Sequence, residues 1–296
     1  MFFCNMKCVL SYKYIPFLAC ALLFLSSFKG ERKESSQPLK VMTFNIRLDA
    51  PSDSANNWKY RKDNVCKMID YYQPDLLGMQ EVCHNQMEDL KKGLPQFTAL
   101  GVGRDDGKEA GEYSPVFFNS ERFTLVKYGC FAISEHPDRI GTKGWDASYN
   151  RIATWAILQE KRDGKKLAFF NTHLDNDGVV ARKEGARLIL RKIQEIAPNM
   201  PVVITGDFNC SAPEEEPLQV LEKGGMKNAS KAASITYGPS WSFHDFGRLP
   251  LNERMLLDYV FVTSKAKVDR YRVIQDTPDN GFLSDHCPVF VNLTIE

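Results

Sequence analysis

The sequence has few cysteines beyond its first thirty residues and no CxxC pair among them. Those five, Cys66, Cys83, Cys130, Cys210 and Cys287, are odd in number and widely spaced. That argues against a disulfide framework and against a structural zinc site, and most are better read as small core residues. Charge of one sign is lacking too, with 38 basic against 37 acidic side chains. General nucleic-acid binders usually carry an evident basic excess. There is no repeat at solenoid spacing, no low-complexity linker, and no apolar run of the roughly 20 residues that a membrane span needs.

What is present begins with a leader. Residues 14–28, YIPFLACALLFLSSF, form a short apolar run preceded by Lys7 and Lys13 and followed by Lys29. A basic start, a short apolar core and small residues at its end read as a secretory signal over residues 1–30. Met6 is a plausible true start. The expected fate is export to the periplasm or exterior after cleavage. Lipoprotein anchoring through Cys20 is the less favoured alternative, because Phe17 departs from the attachment pattern and the run continues past Cys20. Loss of Lys7, Lys13 and Lys29 takes the formal charge from +1 to −2. Residues 31–38 read as a flexible tether, and residues 39–296 as one domain of ordinary length.

Within that domain the pattern alternates. Short apolar runs rich in β-branched and aromatic residues, bounded by Gly, Pro, Asn or Asp, predict strands at 41–46, 75–80, 115–119, 123–128, 152–159, 167–172, 202–205, 259–263 and 288–293. Three-to-four spacing predicts helices at 58–72 and 179–197, the second stopped by Pro198. Strands outnumber helices, and hairpin-like pairs lie between helical crossovers. That predicts an α/β fold of two stacked mixed sheets with helices outside.

The strands share one further feature. They end or begin at polar clusters: Asn45 after VMTF, Glu81 after LLGMQ, His173 and Asp175 in NTHLD, Asp207 and Asn209 in GDFN. Asp258 precedes YVFV, and Asp285 and His286 precede CPVFV. Strand ends along one sheet edge can converge on one cleft. Hard oxygen donors gathered with His but without Cys favour Mg²⁺ or Mn²⁺ over zinc. Hydrolysis of a phosphate ester needs such a set: a cation against phosphoryl and leaving oxygens, a group to activate water, and donors for developing charge.

These blocks, TFNIR at 43–47, QE at 80–81, NTHLD at 171–175, GDFN at 206–209, LDYVFV at 257–262 and SDH at 284–286, resemble the endonuclease/exonuclease/phosphatase superfamily, the fold of pancreatic deoxyribonuclease. They span the domain in the family's order. The resemblance implies a four-layer α/β/β/α sandwich with the site where strand ends of both sheets meet. It implies Glu81 as principal metal ligand, helped by Asn45 and Asp285. Asp207 would orient or deprotonate the attacking water, and Asn209 and His173 would bond the scissile phosphate. His286 would act as acid, base or charge stabiliser, its tautomer fixed by Asp258. Which of Asp207 and His286 is the base stays open.

Outside these blocks the signal thins. The loop at 101–115 fails the GxGxxG and P-loop patterns, but Arg104 and Tyr113 could reach a substrate. At 144–155, Trp145 could stack on a substrate and Arg151 could hold a phosphate. Asp175 is left out of the site as a loop acid, and His84, His136 and His244 read as surface or loop residues. WKYRK at 58–62 is similar to the deadenylase branch, whereas the signature of inositol polyphosphate 5-phosphatases is absent. The expected activity is a divalent-metal-dependent phosphoesterase, diester favoured, acting on nucleic acid, a phospholipid headgroup or another phosphate ester, without an obligate protein partner. A secreted nuclease for RNA or DNA is the alternative. A non-catalytic binding protein on the same scaffold is a third reading, disfavoured because Glu81, Asp207 and His286 are all retained.

Overall fold

The computed structural model describes residues 37–210 and 216–295. The signal at 1–30, Cys20 and the tether up to residue 36 lie outside the described residues. In chain order, strand β1 (Leu39–Asn45), helix α1 (Trp58–Tyr72), β2 (Leu76–Gln80), α2 (His84–Gly93), β3 (Phe97–Leu100) and β4 (Val116–Asn119) come first. Next are β5 (Phe123–Ala132), β6 (Ile152–Glu160), β7 (Lys166–His173), α3 (Val179–Ile196) and β8 (Val202–Asp207). The chain closes with α4 (Glu216–Lys223), β9 (Met226–Asn228), α5 (Ala229–Ala232), β10 (Ile235–Tyr237), β11 (Asp258–Thr263), β12 (Ala266–Val273) and β13 (Val289–Ile295).

Two sheets result, with orders β10-β12-β13-β1-β2-β4-β3 and β5-β6-β7-β8-β11-β9. Both are mixed, since β1 and β2 pair in parallel, as do β7 and β8, among antiparallel neighbours. Side-chain alternation builds the layers. In β1, Val41 joins Phe169, Val203 and Val260 between the sheets. Met42 and Phe44, one residue out of step, face Val65 and Ile69 of α1 and Leu90 of α2. The second sheet repeats this, with Phe170 and Ile204 packed on Ile189 and Ile193 of α3 and Leu221 of α4. The outcome is the expected sandwich of helices, sheet, sheet and helices.

The apolar seam between the sheets gives way to polar groups toward the ends of β1, β2, β7 and β8. Gln80 donates to Thr43 Oγ1 (3.0 Å) and Asn171 Oδ1 (2.7 Å), and Thr205 Oγ1 donates to the same Asn171 oxygen (2.9 Å). Asn171 Nδ2 donates to the carbonyls of Met79 (2.6 Å) and Pro115 (2.9 Å). Gly78 makes room, because a Cβ there would overlap Thr205 and Asn171. A buried polar layer hydrogen-bonded across both sheets, in which Gln80 Oε1 alone of these groups has no partner among the described residues, fixes their relative height, and with it the strand ends beyond.

Nine strands and two helices occur where the sequence predicts them. The strand at 123–128 runs on to Ala132. Four further strands, β3, β9, β10 and β12, and three further helices, α2, α4 and α5, were not expected. Their apolar signals are short or mixed with charge, as in AKVDRYRV of β12 and HNQMEDLKKG of α2. Tertiary pairing stabilises them where local pattern does not.

Candidate functional site

The alternation that buries Val41, Phe169, Val203 and Val260 between the sheets carries Asn45, His173, Asp207 and Asp258 to the same inner face, at one end. Register aligns three of them, with His173 opposite Asp207 in the parallel pair and Asp207 opposite Asp258 in the antiparallel one. Strand parity would instead send residue 81 to the helix layer. There the backbone turns left-handed, with φ of 60° at Glu81, and the carboxylate reaches Asn45. Arg47 and Asn209 are left-handed as well (φ 61° and 48°). A non-glycine residue in this region costs on the order of 1–3 kcal/mol, and such strain gathers at functional sites.

The side chains form one bonded array around a cleft of about 580 Å³. Asn45 Nδ2 lies 3.0 Å from both Glu81 Oε1 and Asp207 Oδ2, and 3.5 Å from His286 Nε2. Asp258 Oδ2 meets His286 Nδ1 at 2.8 Å and accepts from Ser242 Oγ at 2.6 Å. The other imidazole nitrogen, Nε2, lies 3.7 Å from Asp207 Oδ2. Across Asp207, His173 Nε2 stands 3.7 Å from that same oxygen and 3.1 Å from Asn209 Nδ2. Asn209 N also donates to Asp207 Oδ1 at 2.9 Å. Glu81, Asp285, Asp207, His286, His173 and Asn209 all line the cleft.

Electrostatics separates the two histidines. Burial opposes protonation of His286, but Asp258, Asp207 and Asp285 outweigh it and raise its pKa to about 10. His173 is held well below the usual value, by burial first and then by the Arg151 and Arg104 guanidiniums. Asp207 moves up to about 7, through burial and the neighbouring Asp258, with His286 working against both. Asp285 is raised by burial and by Glu81, with His286 and Arg47 opposing.

Hard oxygen donors are therefore crowded together. Glu81 and Asp285 both lie near Arg47, at 3.9 and 3.8 Å. Repelling, mostly buried carboxylates at a cleft fit a hard dication. Asp207, Asp258 and His286 also have donor atoms within 4.8 Å of one another. That trio is better understood as a held imidazole facing a carboxylate, because Asp258 is fully buried and its Oδ2 is engaged by His286 and Ser242.

The four substrate candidates divide. Arg104 and Arg151 line the cleft. Tyr113 does not: it is buried against the α1–α2 layer, with its hydroxyl 3.0 Å from His84 Nδ1. Trp145 packs on the α3 layer, away from the cleft lining. Asp175 is no plain loop acid. It is 2 % exposed and accepts from the backbone N–H groups of Ser148, Tyr149, Asp177 and Gly178 and from Arg151 Nε. His244 is buried rather than superficial, accepting from Gly247 N on Nδ1. His84 is partly exposed, as expected.

Sequence reasoning missed Arg47, which sits beside Glu81 and Asp285, and Arg61, which works at one remove. Arg61 is buried in α1 and donates to the carbonyls of Ile46 (2.8 Å), Leu283 (2.6 Å) and Arg47 (3.4 Å), clamping the segments that carry Asn45 and Asp285. Its signal was an arginine on the apolar face of a helix, inside the WKYRK block.

An imidazole held by one carboxylate and facing another, in a cleft of hard oxygen donors, suits hydrolysis of phosphate esters, and sequence relationships agree. The model of the Endonuclease/Exonuclease/phosphatase family matches residues 42–286, and the chain belongs to that family. Its members are hydrolases of phosphoester bonds, generally dependent on divalent metal. An endonuclease/exonuclease/phosphatase from Bacteroides vulgatus is 42% identical, with a TM-score of 0.86 over 88% of this chain and 100% of that one. A mannosyl-6-phosphatase from Bacteroides thetaiotaomicron is 35% identical, with a TM-score of 0.82 over 87% of this chain and 100% of that one. The 3'-5'-exoribonuclease subunit Ccr4 of Candida albicans is 26% identical over 303 residues, covering 82% of this chain but 38% of that protein.

Proposed function

We propose that the chain is an exported, Mg²⁺- or Mn²⁺-dependent phosphatase that cleaves a small phosphomonoester. The observation that carries the chemistry is His286, held by Asp258 and facing Asp207 across a cleft that Glu81 also lines. Likeness to a mannosyl-6-phosphatase over the whole of that solved chain supports a monoester over the diester favoured by sequence alone. The signal-like leader supports export, with Cys20 anchoring as the alternative.

Glu81 and Asp285 would hold the cation, with Asn45 beside Glu81. Bound there, the metal supplies neutralisation of charge on the phosphoryl and leaving oxygens. His286, its pKa raised by three carboxylates, is suited to donating to an oxygen. That leaves Asp207, shifted up toward neutrality, to take the proton of the attacking water. Asn209 and His173 lie beside Asp207, in place to bond phosphoryl oxygens.

The test is a panel of a hexose 6-phosphate, p-nitrophenyl phosphate, bis(p-nitrophenyl) phosphate, RNA and DNA, each with Mg²⁺, Mn²⁺ or EDTA. Monoester turnover lost with EDTA, and in Glu81→Ala and His286→Ala, is the expected result. Turnover indifferent to EDTA and to both substitutions would sink the mechanism. A secreted nuclease is the second reading, favoured by the likeness to Ccr4 across most of this chain. It requires release of acid-soluble nucleotides, falling steeply with salt.

A further inference from the structure

The cleft is wider than one phosphate needs, and its two flanks differ in chemistry. On the β6–β7 side of Asp207 lie Arg104, Glu112, Tyr149, Arg151 and Asn176. On the β11 side lie Phe243, Met255 and Leu257, with Asp245, paired to Arg248, nearby on the same loop as Phe243. The polar flank is a built wall. Arg104 Nη1 meets Glu112 Oε2 at 2.7 Å, Arg151 Nη2 meets Asn176 Oδ1 at 2.8 Å, and Arg151 Nε meets Asp175 Oδ2 at 3.2 Å. Both guanidiniums lie over the Tyr149 ring, 5.2 and 5.5 Å from its centre. Arg151 is 4 % exposed, and its Nη1 is buried without a partner among the described residues. Asp175 anchors the backbone on both sides of this cluster, at Ser148 and Tyr149 and at Asp177 and Gly178.

Charge decides what such a wall can read. Each arginine already has a carboxylate beside it, so the flank presents N–H donors and carboxylate or amide acceptors in alternation with little net charge. A second phosphate would find its charge opposed by Glu112. A hydroxyl donates and accepts at once, and so matches an interleaved surface. The apolar flank opposite suits the C–H face of a ring. We infer that the wall of Arg104, Glu112, Arg151 and Asn176 recognises the hydroxyls of the group esterified to the phosphate, so that the substrate class is a phosphorylated sugar. This rests on the phosphatase reading above and assigns the specificity of that same site.

The test compares kcat/KM, with Mg²⁺, for a hexose 6-phosphate and for butyl phosphate, which offers the same phosphate with no hydroxyls. Polar sites built for hydroxyls discriminate strongly against analogues that lack them, and a preference of about 100-fold or more for the sugar ester is expected. Glu112→Gln, Arg104→Lys and the surface change Asn176→Ala should each cut that ratio at least tenfold, with the loss mainly in KM. Equal kcat/KM on both esters, or a ratio that none of the three substitutions changes, overturns the assignment while leaving the phosphatase reading intact. Absence of turnover on both esters, with Mg²⁺ and with Mn²⁺, defeats the phosphatase reading and the assignment with it. Glu112→Gln alters a half-buried ion pair, whereas the exposed Asn176 can be changed without touching the core, so a folding defect in one variant still leaves the other to decide.

Discussion

At the scale of the residue, the decisive contact is Asp258 to His286, 2.8 Å apart with both side chains buried. Removing the charge while keeping the shape isolates its role. Asp258→Asn should lower kcat by about 10²–10⁴, the usual range for a positioned proton-transfer group, with a smaller effect on KM. Steady-state kinetics on the same monoester checks this, and an unchanged kcat would show that His286 works without its partner. A second residue-scale consequence concerns acid. His244 is depressed to about 4, by burial first and then by His286 and Arg254. Its folded pKa lies below its unfolded one, so its contribution to stability is complete above about 6.5 and is lost as pH falls toward 4. By pH 5 that loss amounts to about 2 kcal/mol. Urea unfolding at pH 7.5 and pH 5 should show a shallower acid limb in His244→Gln than in the parent. Asp207, Asn209, Glu81 and His286 were legible as chemistry because each terminates or introduces an apolar strand. His244 and Asp175 were not, because burial is a property of what packs over a loop, which local sequence does not encode.

At the scale of the element, strand ends carry the site and the polar layer behind them sets their height. Gly78 lies opposite Thr205 and Asn171, where any side chain would overlap. Gly78→Ala should destabilise the protein by about 3 kcal/mol, combining overpacking with damage to buried hydrogen bonds. Equilibrium unfolding in urea measures it, and a change within about 0.5 kcal/mol would mean that the sheets separate without cost. Strands with continuous apolar runs buried on both faces, such as β6, β7 and β8, were readable from pattern alone. Short or charged elements such as β9, β10 and α2 were not, since pairing and packing with distant segments stabilise them.

At the scale of the whole molecule, two sheets bring residues 45, 81, 207 and 285 into one cleft with more negative than positive charge close at hand. Binding of a hard cation should relieve that repulsion and stabilise the fold by mass action. Added Mg²⁺ is therefore expected to raise the melting temperature of the parent, and to do so much less in Glu81→Gln. Thermal melts across a Mg²⁺ series read this without any substrate, and equal shifts in both proteins would place the cation elsewhere.

Sequence by itself determined the class of fold, the family and the chemical inventory, because hydrophobic periodicity and the ordered polar blocks are local and survive without coordinates. It also marked Arg104 and Arg151 as candidates. Tertiary structure decided which groups meet: that Asp258 serves His286, that Tyr113 and Trp145 turn away from the cleft, and that Arg61 and Asp175 hold the walls from behind. Those outcomes depend on strand register, on which face each residue takes, and on a left-handed turn at Glu81. Such relations join positions tens to hundreds of residues apart, and only the packed sandwich sets them.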